Sequence, residues 1–219
     1  MLNPFKRPGN VEMHTNRFRN ARFARFLKLV DEASKPGAPV RILDLGGTAD
    51  DWMMKSDLWS DRNLQITLLN MFPQEPPDDR FACIEGNACA TGLADNAFDI
   101  VYSNSVIEHV GGWKEMSRMA GEVRRLAPRY FLQTPNYWFP VEAHSRFPLF
   151  NMIPEPWRLS LLLWRGAGFY AKSKDVDEAM GFIEDARLLN MRQLSHLFPD
   201  ATIERERVLG LTKSLIAIR

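Results

Sequence analysis

The sequence predicts an α/β domain built on a doubly wound, mostly parallel sheet, with a helical layer on each face and an antiparallel hairpin at the C-terminal end. Short apolar runs without alternation recur between helical patterns, as expected of parallel strands that are covered on both faces. The last part of the chain instead forms two strand-like runs, Thr202–Val208 and 212–218, separated by Gly210. At 219 residues the chain is long enough for one full core. We therefore predict a single Rossmann-like domain over residues 1–219, in three layers α/β/α.

The N-terminal segment, residues 1–38, is a basic leader that contains a helix. Phe23, Phe26, Leu27 and Val30 share one face at helical spacing. The proline- and glycine-containing residues 35–39 end that helix and lead into the first strand.

The first strand is predicted within Val40–Thr48, where a short apolar run ends in an acid, Asp44, and the glycine pair Gly46 and Gly47 follows. Without a Cβ, a glycine turn can take positive φ and approach a ligand closely. Ligands of open α/β sheets lie beyond the carboxyl ends of the strands. The turn therefore predicts a nucleotide-type ligand, with Asp44 orienting the ligand or the turn. An ordinary strand-turn-helix junction is the alternative.

Further buried strands are predicted at Leu64–Asn70 and at 130–134, with a third apolar pattern over 97–110. The polar residue that ends the second strand, Asn70, occupies the position that meets the ribose hydroxyls in doubly wound folds. A surface helix is predicted over Trp113–Leu126, because its apolar residues fall on one side at helical spacing.

Three segments in order, Asp44–Gly47, Asn87–Ala88 and 98–109, together resemble the class I S-adenosylmethionine-dependent methyltransferases, within them the methyltransferase type 11 group. They match that family's first motif, its adenine-contacting pair and its fourth-strand motif. The resemblance implies S-adenosyl-L-methionine as cofactor, S-adenosyl-L-homocysteine as product and a small-molecule methyl acceptor. The chain departs from the family in its adjacent glycines, where acid-x-Gly-x-Gly is common, and in Asn70 and Asn87, where acids are common.

The resemblance also implies roles for single residues around the cofactor. Gly46 and Gly47 would lie at its amino-acid end, Asn70 at the ribose and Met71 against the adenine. The hydroxyl and amide groups of Ser103 and Asn104 would hold its methionine part. The cofactor-binding set implied by the resemblance is Asp44, Gly46, Gly47, Asn70, Met71, Asn87, Ala88, Ser103 and Asn104.

Residues 136–170 form a proline- and aromatic-rich insertion that follows the carboxyl end of a strand. Long ordered loops in compact domains are often functional lids. We therefore predict a substrate cap with an apolar wall. A packing elaboration or a contact between two copies of the chain, a homodimer, is the alternative.

Two histidines are candidate catalytic residues. His109 follows the fourth strand on the ligand side and could remove a proton from an acceptor hydroxyl. His144 lies in the insertion beside Glu142 and is a similar candidate. For His109, capping or packing of the next helix is the alternative. The histidines and carboxylates have no recognisable ligand spacing, so no metal site is predicted.

Composition narrows the partners and the compartment. The net charge of +1 gives no indication of nucleic-acid binding. Cys83 and Cys89 have neither metal nor redox spacing, which fits a reducing cytoplasm. No apolar run reaches the length of a membrane span, and no signal-peptide pattern is visible. We expect a cytoplasmic protein.

Two other functions share parts of this pattern. A nicotinamide-dependent oxidoreductase would carry G-x-G-x-x-G after its first strand, and this chain has no such run. A non-catalytic, methyltransferase-like binding protein would explain Asn70 and Asn87, because a fold does not dictate a function. Transfer to oxygen and transfer to nitrogen both remain open.

Overall fold

The computed structural model describes residues 17–141 and 144–219. Residues 1–16 of the predicted leader, and Glu142, lie outside the described residues. The strands are β1 (Val40–Leu45), β2 (Leu64–Asn70), β3 (Phe81–Glu85), β4 (Ile100–Asn104), β5 (Arg129–Pro135), β6 (Thr202–Val208) and β7 (Leu211–Ile218). The helices are α1 (Arg17–Ala33), α2 (Ala49–Met53), α3 (Ser56–Trp59), α4 (Trp113–Leu126), α5 (Glu155–Trp164), α6 (Val176–Glu184) and α7 (Met191–Leu197). Short 3-10 turns occupy Ile107–His109 and Phe150–Met152.

The described strands form one sheet in the order β3-β2-β1-β4-β5-β7-β6. The first five strands in this order pair in parallel, and β7 pairs antiparallel with both β5 and β6. The predicted fold class, a mostly parallel sheet closed by a C-terminal antiparallel hairpin, is confirmed. Because the chain winds outward from β1 through β2 and resumes on its other side at β4, the β1–β4 junction is the topological switch point, where open α/β sheets bind ligands.

Each face of the sheet carries its own apolar layer. On one face, α1 buries the residues predicted for its inner side, Phe23, Phe26, Leu27 and Val30, against Trp52 and its neighbours. On the other face, α4 buries Met116, Met119 and Val123. Burial of a large apolar side chain contributes about 1.5–3 kcal/mol. These layers hold the carboxyl ends of the central strands in fixed positions.

The insertion after β5 has a small apolar core of its own. This core joins Phe150 and Leu162 to Ala167 and to two residues of α6, Ala179 and Ile183. Helix α6, which follows the predicted insertion at residues 136–170, thus packs with it. The short apolar face of α6 lies beyond the proline- and aromatic-rich stretch that marked the insertion in the sequence. Within the part of the chain that the structure describes, no helix is both long and apolar enough to cross a membrane.

Candidate functional site

A cavity of about 1280 Å³ opens at the carboxyl ends of β1, β2 and β4 and extends beneath the insertion. Its size suits a cofactor together with a second small molecule, since small-molecule pockets run to about 300–1,000 Å³. The predicted site residues that line it are Asp44, Gly46, Gly47, Asn70, Met71, Asn87, Ala88, Asn104, His109 and His144. The fold thus brings residues from distant parts of the sequence to one cavity.

The two glycines of the turn are needed for different reasons. Gly46 has φ of +78°, and a Cβ there would lie 2.6 Å from Val106 Cγ2. At Gly47, where φ is not positive, a Cβ would lie 1.9 Å from Asp44 Oδ2. Gly46 therefore supplies a backbone conformation that L-residues rarely adopt, and Gly47 lets the turn pass close to the carboxylate.

Asp44 fastens the turn to α2. It is 2% exposed, and Trp52 Nε1 donates to its Oδ2 at 2.7 Å. Burial raises the pKa of the Asp44 carboxyl to about 7, while the Trp52 hydrogen bond opposes that shift. The side chain is thus a buried, hydrogen-bonded anchor with one edge on the cavity.

Asn70 lines the cavity, and its side chain is engaged with the glycine turn. Its Nδ2 donates to the carbonyl oxygens of Gly47 at 3.1 Å and Gly46 at 3.3 Å, while its Oδ1 accepts from Met71 N at 2.8 Å. Gln74 Nε2 also donates to the Gly47 carbonyl, at 3.0 Å. Sequence reasoning missed Gln74, because it lies in a proline-rich loop where nothing local marks it.

The other predicted cofactor contacts differ in exposure. Met71 is 75% exposed, and Asn87 is exposed beside the buried Ala88. The Asn87 Oδ1 accepts from Cys89 N at 2.8 Å, which shapes the loop after β3. All three remain available to a ligand in the cavity, and their roles stay predictions.

The hydroxyl of Ser103, predicted to hold the methionine part of the cofactor, lies away from the cavity. Its side chain is fully buried, and its Oγ donates to the Leu45 carbonyl at 3.2 Å, so it does not reach the cavity. Alternate residues of a strand point to opposite faces. Asn104, the next residue, does line the cavity.

Arg22 of α1 is a site residue that the sequence did not single out. Although 7% exposed, it donates to Asn104 Oδ1 at 2.6 Å and to Gln133 Oε1 at 2.9 Å. Its Nη2 is 2.7 Å from Glu206 Oε2. One planar guanidinium thus ties α1 to β4, β5 and β6 beneath the cavity. In the sequence Arg22 is one of several arginines on a basic helix, and nothing distinguishes it from the others.

His109 and His144 meet at the other end of the cavity. Their Nε2 atoms are 3.1 Å apart, with ring planes at 88°. The Asp185 carbonyl lies 2.8 Å from His109 Nδ1. Because a carbonyl only accepts, this contact places a proton on His109 Nδ1 and leaves the lone pair of a neutral ring on Nε2. The two predicted catalytic histidines are therefore in contact, although His109 comes before β5 in the sequence and His144 lies in the insertion after it.

Glu108 lies beside this pair and was not predicted as a site residue. It is 1% exposed, and Thr134 Oγ1 donates to its Oε2 at 2.9 Å. Burial raises the pKa of the Glu108 carboxyl, and the neighbouring histidines oppose that shift. Although the sequence predicted no metal site, Glu108, His109 and His144 offer ligand atoms within 4.8 Å of one another.

The "Methyltransferase domain" family model matches residues 63–129, which run from the start of β2 to the start of β5. No curated protein sequence matches the chain. The matched residues therefore include three that line the cavity, Asn70, Asn87 and Asn104, whereas the glycine turn lies before them in the sequence.

Three solved structures of similar fold are each distant from this chain in sequence. Magnesium protoporphyrin IX methyltransferase from Synechocystis PCC 6803, with bound S-adenosylhomocysteine, is 12% identical, with a TM-score of 0.56 over 92% of this chain and 83% of that one. The 1,6-didemethyltoxoflavin-N1-methyltransferase of Burkholderia thailandensis is 13% identical, with a TM-score of 0.52 over 92% and 76%. Phosphoethanolamine N-methyltransferase 2 of Haemonchus contortus is 13% identical, with a TM-score of 0.51 over 83% of this chain. This chain covers 38% of that nematode protein. At these identities the likeness establishes the fold.

Proposed function

We propose that this chain is a class I S-adenosylmethionine-dependent methyltransferase, which transfers a methyl group from S-adenosyl-L-methionine to a small-molecule acceptor held beneath the insertion. The partial family match and the fold support S-adenosyl-L-methionine as the donor, with S-adenosyl-L-homocysteine as the product. One observation carries the proposal for the acceptor. A single cavity joins the glycine turn at one end to the His109–His144 pair at the other.

The cofactor end of the cavity is the glycine turn with the surrounding strand ends. Gly46 and Gly47 allow the close approach that the amino-acid part of the cofactor needs. Asn104, held by Arg22, is placed for the same part of the cofactor. The loops that carry Met71 and Asn87–Ala88 form the wall proposed for the adenine.

The acceptor end lies between the histidine pair and the insertion, where Phe139, Val141 and Leu188 add an apolar wall. The insertion thus acts as a substrate cap. Two fold neighbours were solved with small molecules bound, 1,6-didemethyltoxoflavin in one and phosphomonomethylethanolamine in the other. We propose a small molecule for this chain too, and its net charge of +1 supports no nucleic-acid acceptor. The cysteine usage supports a cytoplasmic reaction.

In the reaction, the acceptor atom attacks the methyl carbon in line with the carbon–sulfur bond. That bond breaks with its electron pair on sulfur, and the positive charge of the sulfonium is lost. The protein's contribution is to hold donor and acceptor aligned, which is worth roughly 7–11 kcal/mol in the best intramolecular models. A hydroxyl acceptor must also lose its proton, and His109 and His144 lie where they favour that loss.

The test is methyl transfer itself. The full chain is incubated with S-adenosyl-L-methionine labelled in its methyl group and with fractionated small molecules from the producing cell. We expect label to move into a small molecule, with one S-adenosyl-L-homocysteine formed per methyl group. The Gly47→Val variant is the matched blank. Binding of S-adenosyl-L-homocysteine without any transfer across the fractions would instead support a non-catalytic binding protein.

A further inference from the structure

The histidine pair is part of a three-residue cluster of possible metal ligands at the acceptor end of the cavity. The two Nε2 atoms face each other at 3.1 Å, and a carboxylate from the residue preceding His109 completes the group. The three ligand atoms all lie within 4.8 Å of one another. Bonds of about 2.0–2.2 Å to one ion allow ligand atoms to be at most about 4.4 Å apart. A side-chain adjustment of under about an ångström therefore closes the set around a cation.

Glu108 supplies the observation that points to a ligand. Among the described residues, no hydrogen-bond partner reaches its Oε1, although the side chain is 1% exposed. A buried polar group without a partner costs about 1–3 kcal/mol, and more when it is charged. Its other oxygen is held by Thr134. The carboxylate is thus fixed by one oxygen, and the other oxygen meets no donor from residues 17–141 and 144–219.

His109 is also oriented as a ligand. Its Nδ1 lies 2.8 Å from the Asp185 carbonyl, and the Asp185 carboxylate is 3.8 Å from the same atom. An imidazole that ligates a metal through one nitrogen usually donates from the other to a carbonyl or carboxylate, which fixes its tautomer. The lone pair of His109 Nε2 is thereby directed towards His144 Nε2.

We propose that Glu108, His109 and His144 bind a divalent transition-metal cation at the acceptor end of the cavity. Two imidazoles and one carboxylate form the ligand set of catalytic zinc sites, which keep a further position open. Mg²⁺ and Ca²⁺ prefer all-oxygen sites and fit this set poorly. His144 then binds through Nε2 as the tautomer that is protonated on Nδ1. The cavity supplies the space for the open coordination position.

The role of the cation in catalysis rests on the proposed methyl transfer, whereas the binding of the cation is independent of that proposal. A hydroxyl acceptor that occupies the open position would be held by its oxygen, and the cation would lower the pKa of that hydroxyl. The histidines would then act by holding the cation, and the acceptor proton would pass to solvent water, because both Nε2 lone pairs are bound to the cation. The proposed substrate class is a hydroxyl-bearing small molecule.

The experiment uses the full chain, stripped of metal with a chelator and freed of any affinity tag. Zn²⁺ is titrated by calorimetry, and Co²⁺ is titrated with its visible absorption as the reporter of histidine ligation. Mg²⁺ is the negative control. His109→Ala, His144→Ala and Glu108→Gln are compared with His196→Ala, an exposed histidine that stacks on Trp113 outside the cluster. Binding of S-adenosyl-L-homocysteine is measured on every sample, because it reports folding and the cofactor site independently.

We expect wild type and His196→Ala to bind one Zn²⁺ per chain and to develop the Co²⁺ absorption. Loss of an outer partner of a metal site costs about 10–100-fold in affinity, so loss of His109 or His144 should cost about 100-fold or more. Glu108→Gln should weaken Zn²⁺ by about tenfold or more while S-adenosyl-L-homocysteine still binds. No one-to-one Zn²⁺ binding by wild type, or unchanged binding after loss of both histidines, overturns the proposal. If S-adenosyl-L-homocysteine binds and Zn²⁺ does not, the metal site fails and the methyl-transfer proposal stands.

Discussion

The side-chain amide of Asn70 donates a hydrogen bond to the carbonyl oxygen of Gly47, at 3.1 Å. It reaches the Gly46 carbonyl as well, at 3.3 Å. Two departures of this chain from the family that it resembles, adjacent glycines and an amide in place of an acid, are therefore linked in the structure. The turn directs carbonyl oxygens towards the end of β2, and only a donor can satisfy them there. A carboxylate at this position would be repelled, because the carbonyl oxygens of Gly46 and Gly47 also carry partial negative charge.

Asn70→Asp should therefore weaken cofactor binding, although an acid is common at this place in the family. The variant loses the donor to the Gly46 carbonyl and one of two donors to the Gly47 carbonyl, and it sets a negative charge beside both oxygens. A polar group left without its partner costs about 1–3 kcal/mol. That corresponds to roughly 5–150-fold weaker S-adenosyl-L-homocysteine binding, measured by calorimetry. Asn63→Asp, an exposed position just before the same strand, is the control and should bind as wild type. Tighter binding by Asn70→Asp would instead mean that the side chain turns to the ribose.

Gly47→Val should abolish cofactor binding while the circular dichroism spectrum stays near native. The position does not need positive φ. A Cβ there would lie 1.9 Å from the Asp44 carboxylate, so the turn must move away from the strand end. Gly121→Val is the matched control, since a Cβ at Gly121 of α4 meets no atom within 4 Å. Normal binding of S-adenosyl-L-homocysteine by Gly47→Val would show that this turn is not the binding loop.

The stability of the protein should carry a pH dependence from Asp44. Burial raises the pKa of its carboxyl in the folded state to about 7, whereas the unfolded chain titrates near the ordinary aspartate value. Between about pH 4 and pH 7 the folded state thus binds more protons, so this group's contribution to the free energy of unfolding falls as pH rises. The fall is at most on the order of 4 kcal/mol.

Urea denaturation at a series of pH values, for wild type and Asp44→Asn, measures this contribution. The neutral amide has no such proton, so the stability of wild type relative to Asp44→Asn should fall from pH 5 to pH 7.5 and then level off. Asp57→Asn, an exposed position on α3, should follow wild type across the range. A constant difference between wild type and Asp44→Asn would contradict the assignment.

Arg22→Met should destabilise the fold strongly. Arg22 and Glu206 are 7% and 10% exposed, so the substitution leaves a buried carboxylate without its partner. Breaking a buried pair in this way costs about 3–5 kcal/mol. Arg25→Met removes the neighbouring pair with Glu204, whose side chains are 50% and 38% exposed, and should cost about 0–1 kcal/mol. Equal losses in denaturant titrations of the two variants would refute the role given to Arg22.

His109→Ala should lower kcat by roughly 10²–10⁴ with a hydroxyl acceptor, the usual range for groups that assist proton transfer. S-adenosyl-L-homocysteine affinity should hardly change, because the interaction is made with the acceptor. Single-turnover transfer to an identified acceptor measures the effect, with His196→Ala as control. Wild-type turnover by His109→Ala would assign this histidine to packing. A small effect is expected only if the acceptor is a neutral amine.

The sequence was informative wherever a local pattern determines structure. Leu64–Asn70 and Trp113–Leu126 have the predicted bounds, because apolar periodicity decides both the element and its buried face. The first strand lies within the predicted stretch Val40–Thr48. The second strand of the hairpin begins one residue earlier than predicted, at Leu211.

Contacts between distant segments could not be predicted from one sequence. Gln74 reaches Gly47 from a loop, and Arg22 reaches Asn104 and Glu206 from another layer of the fold. Glu108 and His144 are separated by β5 and part of the insertion, so their spacing gives no ligand signature. For Ser103 the motif was recognised, but the side of the strand on which its hydroxyl lies was not.

Calorimetric titration of S-adenosyl-L-homocysteine into the full chain tests the central claim most directly, with NAD titrated in parallel. The account predicts one S-adenosyl-L-homocysteine per wild-type chain, no binding of NAD, and no binding of S-adenosyl-L-homocysteine by Gly47→Val. The midpoint temperature of thermal unfolding should rise with the ligand. At a hundredfold excess of ligand over Kd, binding adds about 2.7 kcal/mol to the free energy of unfolding. If folded wild-type protein shows neither heat of binding nor a rise in unfolding temperature at millimolar S-adenosyl-L-homocysteine, the account is contradicted.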